Sequence, residues 1–482
     1  MLEHKSYVIS WNLTRRCNLA CEHCYIDAYQ GKDDPGQIAR VGEKVAATFS
    51  GELSTQECFT VIDQLAEASP QALLILTGGE PLLRRDVFDI AGYASQKGLW
   101  VVVGTNGVLI TETLARKLKE VGVKGMSLSL DSTQPEKHDR FRGVQGAFRN
   151  TMEGTRILTR EGLPFIIQTT LHPNNLQEIE SIANLAHTLG AKVFNLYFLV
   201  STGRGAYTTT LTPTQYESAM HQLLPLQKAF AGKMLVNAKC APHYQRILYE
   251  TEPTSPFLRT FNLGAGGCPA GTHYLGITPN GDMTPCPYLP VYGGNLREKS
   301  FKDIWENSEV FINIRQRKNP VPPTLSSTPV FSPSPLVGEG RVRGKEDGND
   351  RKEWGEGGIG LGGRCGACEF NSACGGCRAR AYGETGNYMA EDALCSYEPG
   401  KYDFKEISFP GAATYGLEEK MDLVWTQEAQ EAISRVPSFV RGMVTRSVEK
   451  MAREKGISTI DTELLQEIRN RLPAHKLFAR PA

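Results

Sequence analysis

Twelve cysteines set what this 482-residue chain can do chemically, and ten of them cluster. Cys17, Cys21 and Cys24 form a Cys-x3-Cys-x2-Cys run close behind an apolar segment. Thiolates are soft ligands suited to iron–sulfur clusters or zinc. Three thiolates would leave one metal position open to a small molecule. With His23 as a further ligand, the same segment would make a closed zinc site. A second group holds seven cysteines: Cys268, Cys286, Cys365, Cys368, Cys374, Cys377 and Cys395. Seven exceed the four thiolates that hold one cluster, so two sites sharing the group is the simplest reading, with zinc ribbons as the alternative. Cys58 falls on an apolar helix face and reads as core, while Cys240 reads as a further ligand or a buried thiol.

The elements that must position these residues are legible. Short β-rich runs alternate with amphipathic stretches over about 200 residues. Strands are expected at Tyr7–Asn12, Ala72–Thr77, Leu99–Thr105, Gly125–Leu130, Phe165–Thr170 and Val193–Leu199. A helix is expected over Ser54–Ala68, with Leu53, Cys58, Val61, Ile62 and Leu65 on one face and Ser54 and Glu57 as a capping box. Six β/α units predict an α/β fold with a parallel sheet, a barrel or an open doubly wound sheet. In either, chemistry collects at the C-terminal strand ends, which is where the first cysteines lie. Gly78-Gly79-Glu80-Pro81 follows the second strand, Asn106 the third, and Ser129 and Asp131 the fourth. Glycines there let backbone approach a ligand, and Glu80 offers a carboxylate to an ammonium group.

We expect a β/α core over 1–210, a helical connector over 211–263, and a cysteine-rich region over 264–319 and 364–400. Residues 320–363, rich in Pro and then Gly with no apolar period, read as a disordered insertion. A separate helical unit is expected over 418–482, with Pro437 opening a helix that ends at Gly456. Lys plus Arg number 53 and Asp plus Glu 53, a net charge of zero, which argues against a nucleic-acid binder. No apolar run reaches the roughly 18 residues of a membrane span, and the start lacks the apolar core of a secretory signal, so a cytoplasmic protein is expected.

The triad, with the Gly-Gly-Glu-Pro turn and the residues after the third and fourth strands, resembles the radical S-adenosylmethionine (SAM) enzymes. The resemblance implies a partial (β/α)6 barrel in which Cys17, Cys21 and Cys24 hold a [4Fe–4S] cluster whose open iron takes SAM. It further implies SAM contacts from Gly78, Gly79, Glu80, Asn106, Ser129 and Asp131, and chemistry through a 5′-deoxyadenosyl radical. The later cysteines resemble the SPASM extension of that family. This implies one auxiliary cluster on Cys365, Cys368, Cys374 and Cys395, and another on Cys268, Cys286 and Cys377, with Cys240 as a candidate fourth ligand. The strings Cys240–His243, Ser201–Gly205, Ile304–Ser308 and Cys374–Tyr382 resemble the haem-biosynthesis branch, which includes haem b synthases and relatives that remove other porphyrin side chains.

That branch implies a tetrapyrrole substrate whose propionates are decarboxylated to vinyl groups, and a reducing partner such as ferredoxin or flavodoxin. Arg204, His243 and Arg246 are then the expected porphyrin contacts. The tail, through Trp425, Pro437–Arg441 and Ala452–Glu454, resembles the small C-terminal domain of light-independent protochlorophyllide reductase. Two rival readings are a peptide-modifying SPASM maturase and a non-catalytic iron–sulfur electron carrier. Only sixteen residues precede Cys17, so no N-terminal peptide-recognition domain is expected. The Gly-Gly-Glu-Pro turn counts against a carrier, which needs no SAM site.

Overall fold

A computed structural model describes residues 8–30, 51–69, 72–253, 267–317, 360–402, 423–434, 436 and 438–471. Most of the expected insertion (320–359), the start of the expected tail unit (418–422) and Pro437 lie outside the described residues. The six expected strands form as β1 (Val8–Asn12), β2 (Leu73–Thr77), β3 (Trp100–Thr105), β4 (Gly125–Ser129), β5 (Phe165–Leu171) and β6 (Val193–Phe198). They pair in parallel in chain order. The capping box forms as read: the Ser54 hydroxyl accepts from the Glu57 N–H, and Glu57 reaches back to the Ser54 N–H at 2.7 Å.

The expectation of a mostly helical 210–260 needs correction. Between helices Pro213–Ala229 and Tyr244–Thr251 lies a seventh strand, β7 (Leu235–Lys239), parallel to β6. Beyond β1, the hairpin β8 (Tyr274–Ile277) and β9 (Asp282–Thr284) joins the same sheet, β8 running parallel to β1, followed by β10 (Gly294–Asn295). Among the described residues the sheet thus has ten strands in the order β10-β9-β8-β1-β2-β3-β4-β5-β6-β7.

Strand alternation explains the curvature's two faces. Ile9, Trp11, Leu74, Leu76, Val101, Val103, Leu128, Ile167, Phe194, Leu196, Val236 and Ala238 point outward and are buried, most of them under the helices. The inward positions that line the cleft are mostly polar or small: Ser10, Thr77, Gly104, Ser127, Ser129, Gln168, Thr170 and Tyr197, with Ile75 the apolar exception among these strands. That polar inner face lines a cavity rather than a core. The tail has a core of its own, built on Trp425, Ala429, Ile433, Val448, Ala452, Ile460 and Leu464.

Candidate active site

The first cysteines sit in the loop that β1 feeds, and backbone bonds fix that loop. Cys17 N–H donates to Tyr29 O (2.9 Å), Ala20 N–H to Arg142 O (3.1 Å) and Glu22 N–H to Phe141 O (3.1 Å). The Gly-Gly-Glu turn is clamped onto the same loop: Gly79 N–H donates to Thr14 O (2.7 Å) and Glu80 N–H to Arg16 O (2.8 Å). Gly78 has φ +144°, and a Cβ there would lie 2.5 Å from Thr14 O. A Cβ on Gly79 would overlap the Arg16 carbonyl and lie 2.8 Å from Arg15 O. These glycines are required by backbone-to-backbone approach.

Cys17, Cys21 and Cys24 rim one open cleft of about 1230 Å³, measured out to its mouth. N–H donors face their sulfurs: Leu19 N–H to Cys17 (3.3 Å), Ala28 N–H to Cys24 (3.2 Å) and Arg142 Nη1 to Cys21 (3.8 Å). Donors aimed at sulfur suit thiolates, as in iron–sulfur sites. Burial pushes the Cys17 thiol up to about 12, so a cationic group is needed to keep it ionised. The donor set fits a three-thiolate cluster with one iron left open. His23 does not complete a zinc site. Its ring stacks on Phe141 at 4.2 Å, burial holds it down to about 3, and among the described residues no three such ligands converge on a single ion.

Of the residues that the resemblance makes SAM contacts, Gly78, Gly79, Asn106 and Ser129 line the cleft. Two expected contacts do not. The Glu80 carboxylate is buried behind the wall, accepting from Thr105 Oγ1 (2.9 Å), Asn106 N–H (2.9 Å) and Leu82 N–H (3.2 Å). Burial raises it to about 7. It fastens the ends of β2 and β3 together instead of facing an ammonium group. Asp131 is likewise buried, bound to Arg142 (2.6 Å) and Thr170 N–H (2.9 Å), and Arg142 holds its carboxyl below the usual range against burial. The sequence reading missed Arg142, which lies in the cleft wall with one edge on Asp131 and another on Cys21. An Arg near the end of the helix Pro135–Arg142 carries no local signal of that role.

The same cleft is lined by Tyr25, which follows Cys24 directly, by Tyr197, Tyr274 and Tyr288, and by Cys240. The rings of Tyr25 and Tyr288 are 4.6 Å apart and those of Tyr197 and Tyr288 6.1 Å. Cys240 follows β7 and turns the chain with φ +55°. Its side chain meets Cys377, which also meets Cys268, and Cys286 is close enough to both Cys268 and Cys377 to raise its thiol pKa. The fourth thiol of this group is therefore brought from the β7 edge of the sheet, and Cys286 comes from just beyond β9. Cys365, Cys368, Cys374 and Cys395 line a separate cavity of about 340 Å³. Cys268 N–H donates to Cys374 O (3.3 Å), tying the two groups together.

The expected porphyrin contacts are mostly committed elsewhere. Arg204 lines the cleft, but its donors go to Cys21 O (3.0 Å), Ala28 O and Asp27 (2.8 Å), so it braces the cysteine loop. His243 is buried and accepts or donates at 2.9 Å with Tyr216, with Nε2 3.5 Å from Asp392, in the wall of the 340 Å³ cavity. Arg246 is buried on Glu217 (2.6 Å) and Glu250 (2.5 Å). The last two belong to the surroundings of the auxiliary cysteines: Arg246 is paired with two carboxylates, and His243, which burial holds down to about 4 and so neutral, meets Tyr216 in the wall of the smaller cavity.

Comparison with known proteins agrees with this geometry. Residues 11–186 match the radical SAM superfamily, 268–325 an iron–sulfur cluster-binding domain, and 425–469 the 57 kD subunit of proto-chlorophyllide reductase. The chain is 38% identical over 399 residues to the AdoMet-dependent heme synthase of Methanosarcina barkeri, covering 82% of this chain and 97% of that one. It is 34% identical to the AdoMet-dependent heme synthase of Oleidesulfovibrio alaskensis, covering 82% and 88%. Among solved structures, Streptococcus suis SuiB bound to S-adenosylmethionine superposes with a TM-score of 0.56 at 14% identity, covering 82% of this chain and 78% of that one. The last likeness is one of fold. The fold and the cysteine sites define a radical SAM enzyme with an iron–sulfur auxiliary domain. Within that superfamily, this chain belongs to the family of the AdoMet-dependent heme synthases. Its cofactors are [4Fe–4S] clusters and SAM.

Proposed function

We propose that the protein makes haem by oxidative decarboxylation, converting propionates of an iron porphyrin to vinyl groups. One observation carries this reading. A single cleft is lined both by the three thiols of the triad and by Cys240, from a four-thiol group. Loss of one hydrogen atom, carbon dioxide and one electron turns –CH2CH2COO⁻ into –CH=CH2. A substrate seated in that cleft lies within reach of both a hydrogen acceptor and an electron acceptor. When bound, the triad's cluster and SAM supply the radical that takes the hydrogen.

The chain's own residues do the rest. Cys17, Cys21 and Cys24 hold the first cluster, and the backbone of Gly78 and Gly79 with Asn106, Ser129 and Arg142 shapes the SAM end. Glu80 and Asp131 act one layer back, as positioning residues. Cys240, Cys268, Cys286 and Cys377 hold one auxiliary cluster, and Cys365, Cys368, Cys374 and Cys395 the other. The tyrosine wall excludes water around the macrocycle. The electron donor is a small reductant of the ferredoxin or flavodoxin kind. The cytoplasm, where thiols stay reduced, suits these sites, and no helix among the described residues is long and apolar enough to cross a membrane.

The test is anaerobic incubation of the reconstituted protein with iron-coproporphyrin III, SAM and a reductant, read by mass spectrometry. Loss of two carboxyl groups with their hydrogens is the expected result. Formation of 5′-deoxyadenosine with porphyrin unchanged would contradict the assigned substrate.

A further inference from the structure

The row of inward side chains does not stop at the sixth strand. Across the parallel ladder, Gln168 is in register with Asn195 and Asn195 with Asn237; one step on, Thr170 is in register with Tyr197 and Tyr197 with Lys239. Registered neighbours share a sheet face. Asn237 Nδ2 donates to Asn195 Oδ1 (3.1 Å), and Thr170 and Tyr197 line the cleft. Lys239 therefore stands on the cavity side, while its neighbours Val236 and Ala238 are buried on the outer side. The next residue, Cys240, is itself in the cleft wall.

Charge accounting singles this lysine out. The two arginines of the cleft wall, Arg142 and Arg204, are already held by Asp131 and by Asp27 with two carbonyls. Lys239 is half-buried and has no hydrogen-bond or ion-pair partner among the described residues. A half-buried ammonium beside an apolar tyrosine wall is a poor solvation site unless an anion joins it. The cleft's proposed occupant carries several carboxylates.

We propose that Lys239 is a substrate-binding residue that holds one propionate carboxylate of the porphyrin beside Cys240 in the cleft. This rests on the haem-pathway reading above. The position orients the macrocycle: the carboxylate on Lys239 is retained as an anchor near the auxiliary thiols, and a different side chain is presented towards the triad.

The experiment is an anaerobic absorbance titration of the reconstituted holoprotein with iron-coproporphyrin III and with its tetramethyl ester. It compares unsubstituted protein, Lys239→Met, Lys239→Gln and Lys239→Arg, each checked for iron and sulfide content. The Met and Gln variants should bind the free acid about tenfold more weakly, the size expected for loss of one charge-assisted hydrogen bond. Lys239→Arg should stay within about threefold of the unsubstituted protein, since it keeps the charge. The ester, which offers no carboxylate, should bind all four proteins alike. Two outcomes overturn the inference alone: undiminished binding of the acid by both neutral variants, or an equal loss for acid and ester, which would mark a packing effect. Failure of the unsubstituted protein to bind porphyrin would overturn the haem-pathway reading, and this placement with it.

Discussion

The triad and the auxiliary cysteines use the same donor atom in opposite settings. Cys17, Cys21 and Cys24 lie on one loop, open to a large cleft, and two backbone N–H groups and the side chains of Asn106 and Arg142 donate to their sulfurs. The auxiliary thiols come from distant parts of the chain and are packed among buried arginines. Arg317 reaches Cys268 O, Arg378 spans Tyr388 O (2.9 Å) and Ala390 O (2.7 Å), and Arg380 binds Cys240 O and Asp392 (3.1 Å). All three guanidinium-bearing side chains are at most 2% exposed. A three-thiol open site suits ligand exchange at one iron. A four-thiol closed site beside fixed positive charge suits storing an electron, because cations and N–H donors favour the reduced cluster.

Substitutions at the ligands should separate the two settings most sharply. Cys17→Ala should abolish SAM cleavage, measured as 5′-deoxyadenosine. Cys374→Ala should leave uncoupled cleavage while porphyrin product vanishes. Normal porphyrin turnover by Cys374→Ala would erase the distinction.

The next largest effect concerns the backbone clamp. Gly79→Ala places a methyl against Arg15 and Arg16 carbonyls, so the cysteine loop must move. We expect about 1–3 kcal/mol of destabilisation, read from denaturant midpoints, with iron lost selectively from the triad. Equal loss from all sites would mean that the loop is not separately clamped.

Cys240 sharpens the comparison from the other side. Cys240→Ser should lower the iron content and alter the auxiliary electron paramagnetic resonance signal. Cys58→Ser should leave both unchanged, since the Cys58 sulfur lies in the barrel core near Arg84 (3.5 Å). Identical signals for Cys240→Ser and the unsubstituted protein would remove Cys240 from the ligand set.

The last effect is a pH dependence, spread over a range of pH and not confined to one site's metal content. Glu80 is raised by burial from its ordinary 4.5 to about 7. The folded state then holds a proton that the unfolded chain has released, so this contribution to stability is full below about 4.5 and is lost as pH rises through 7. The loss is on the order of 3 kcal/mol. Glu80→Gln should flatten the stability profile between those values, measured by denaturant unfolding. A slope unchanged by the substitution would show that Glu80 titrates normally.

Much of this was legible because it is written locally. The triad spacing, the Gly-Gly-Glu turn and six strands each depend on neighbours in sequence. What was not legible depends on distant partners. Strand β7 is as long as β1, β2 and β4 but lies at the sheet edge, and Asn237 and Lys239 on its inward side leave only Val236 and Ala238 as buried apolar residues. The direction of Glu80 is set by Thr105 and Asn106 on the next strand, and that of Asp131 by Arg142. Cys240 was a candidate for the Cys377 group by resemblance alone; its contact with Cys377 depends on β7 meeting the start of the helix Arg378–Thr385. His243 and Arg246 looked like substrate contacts because a lone charge in sequence gives no hint of the buried carboxylate that will meet it.

On the reading proposed above, the triad leaves one iron free for SAM while the auxiliary sites leave none. Mössbauer spectroscopy of protein reconstituted with isotopically enriched iron, recorded with and without SAM, tests it directly. We predict that SAM shifts one iron site to the parameters of a nitrogen- and oxygen-ligated iron, and that Cys17→Ala removes that response. A spectrum unmoved by SAM, or a response that survives Cys17→Ala, would contradict the account.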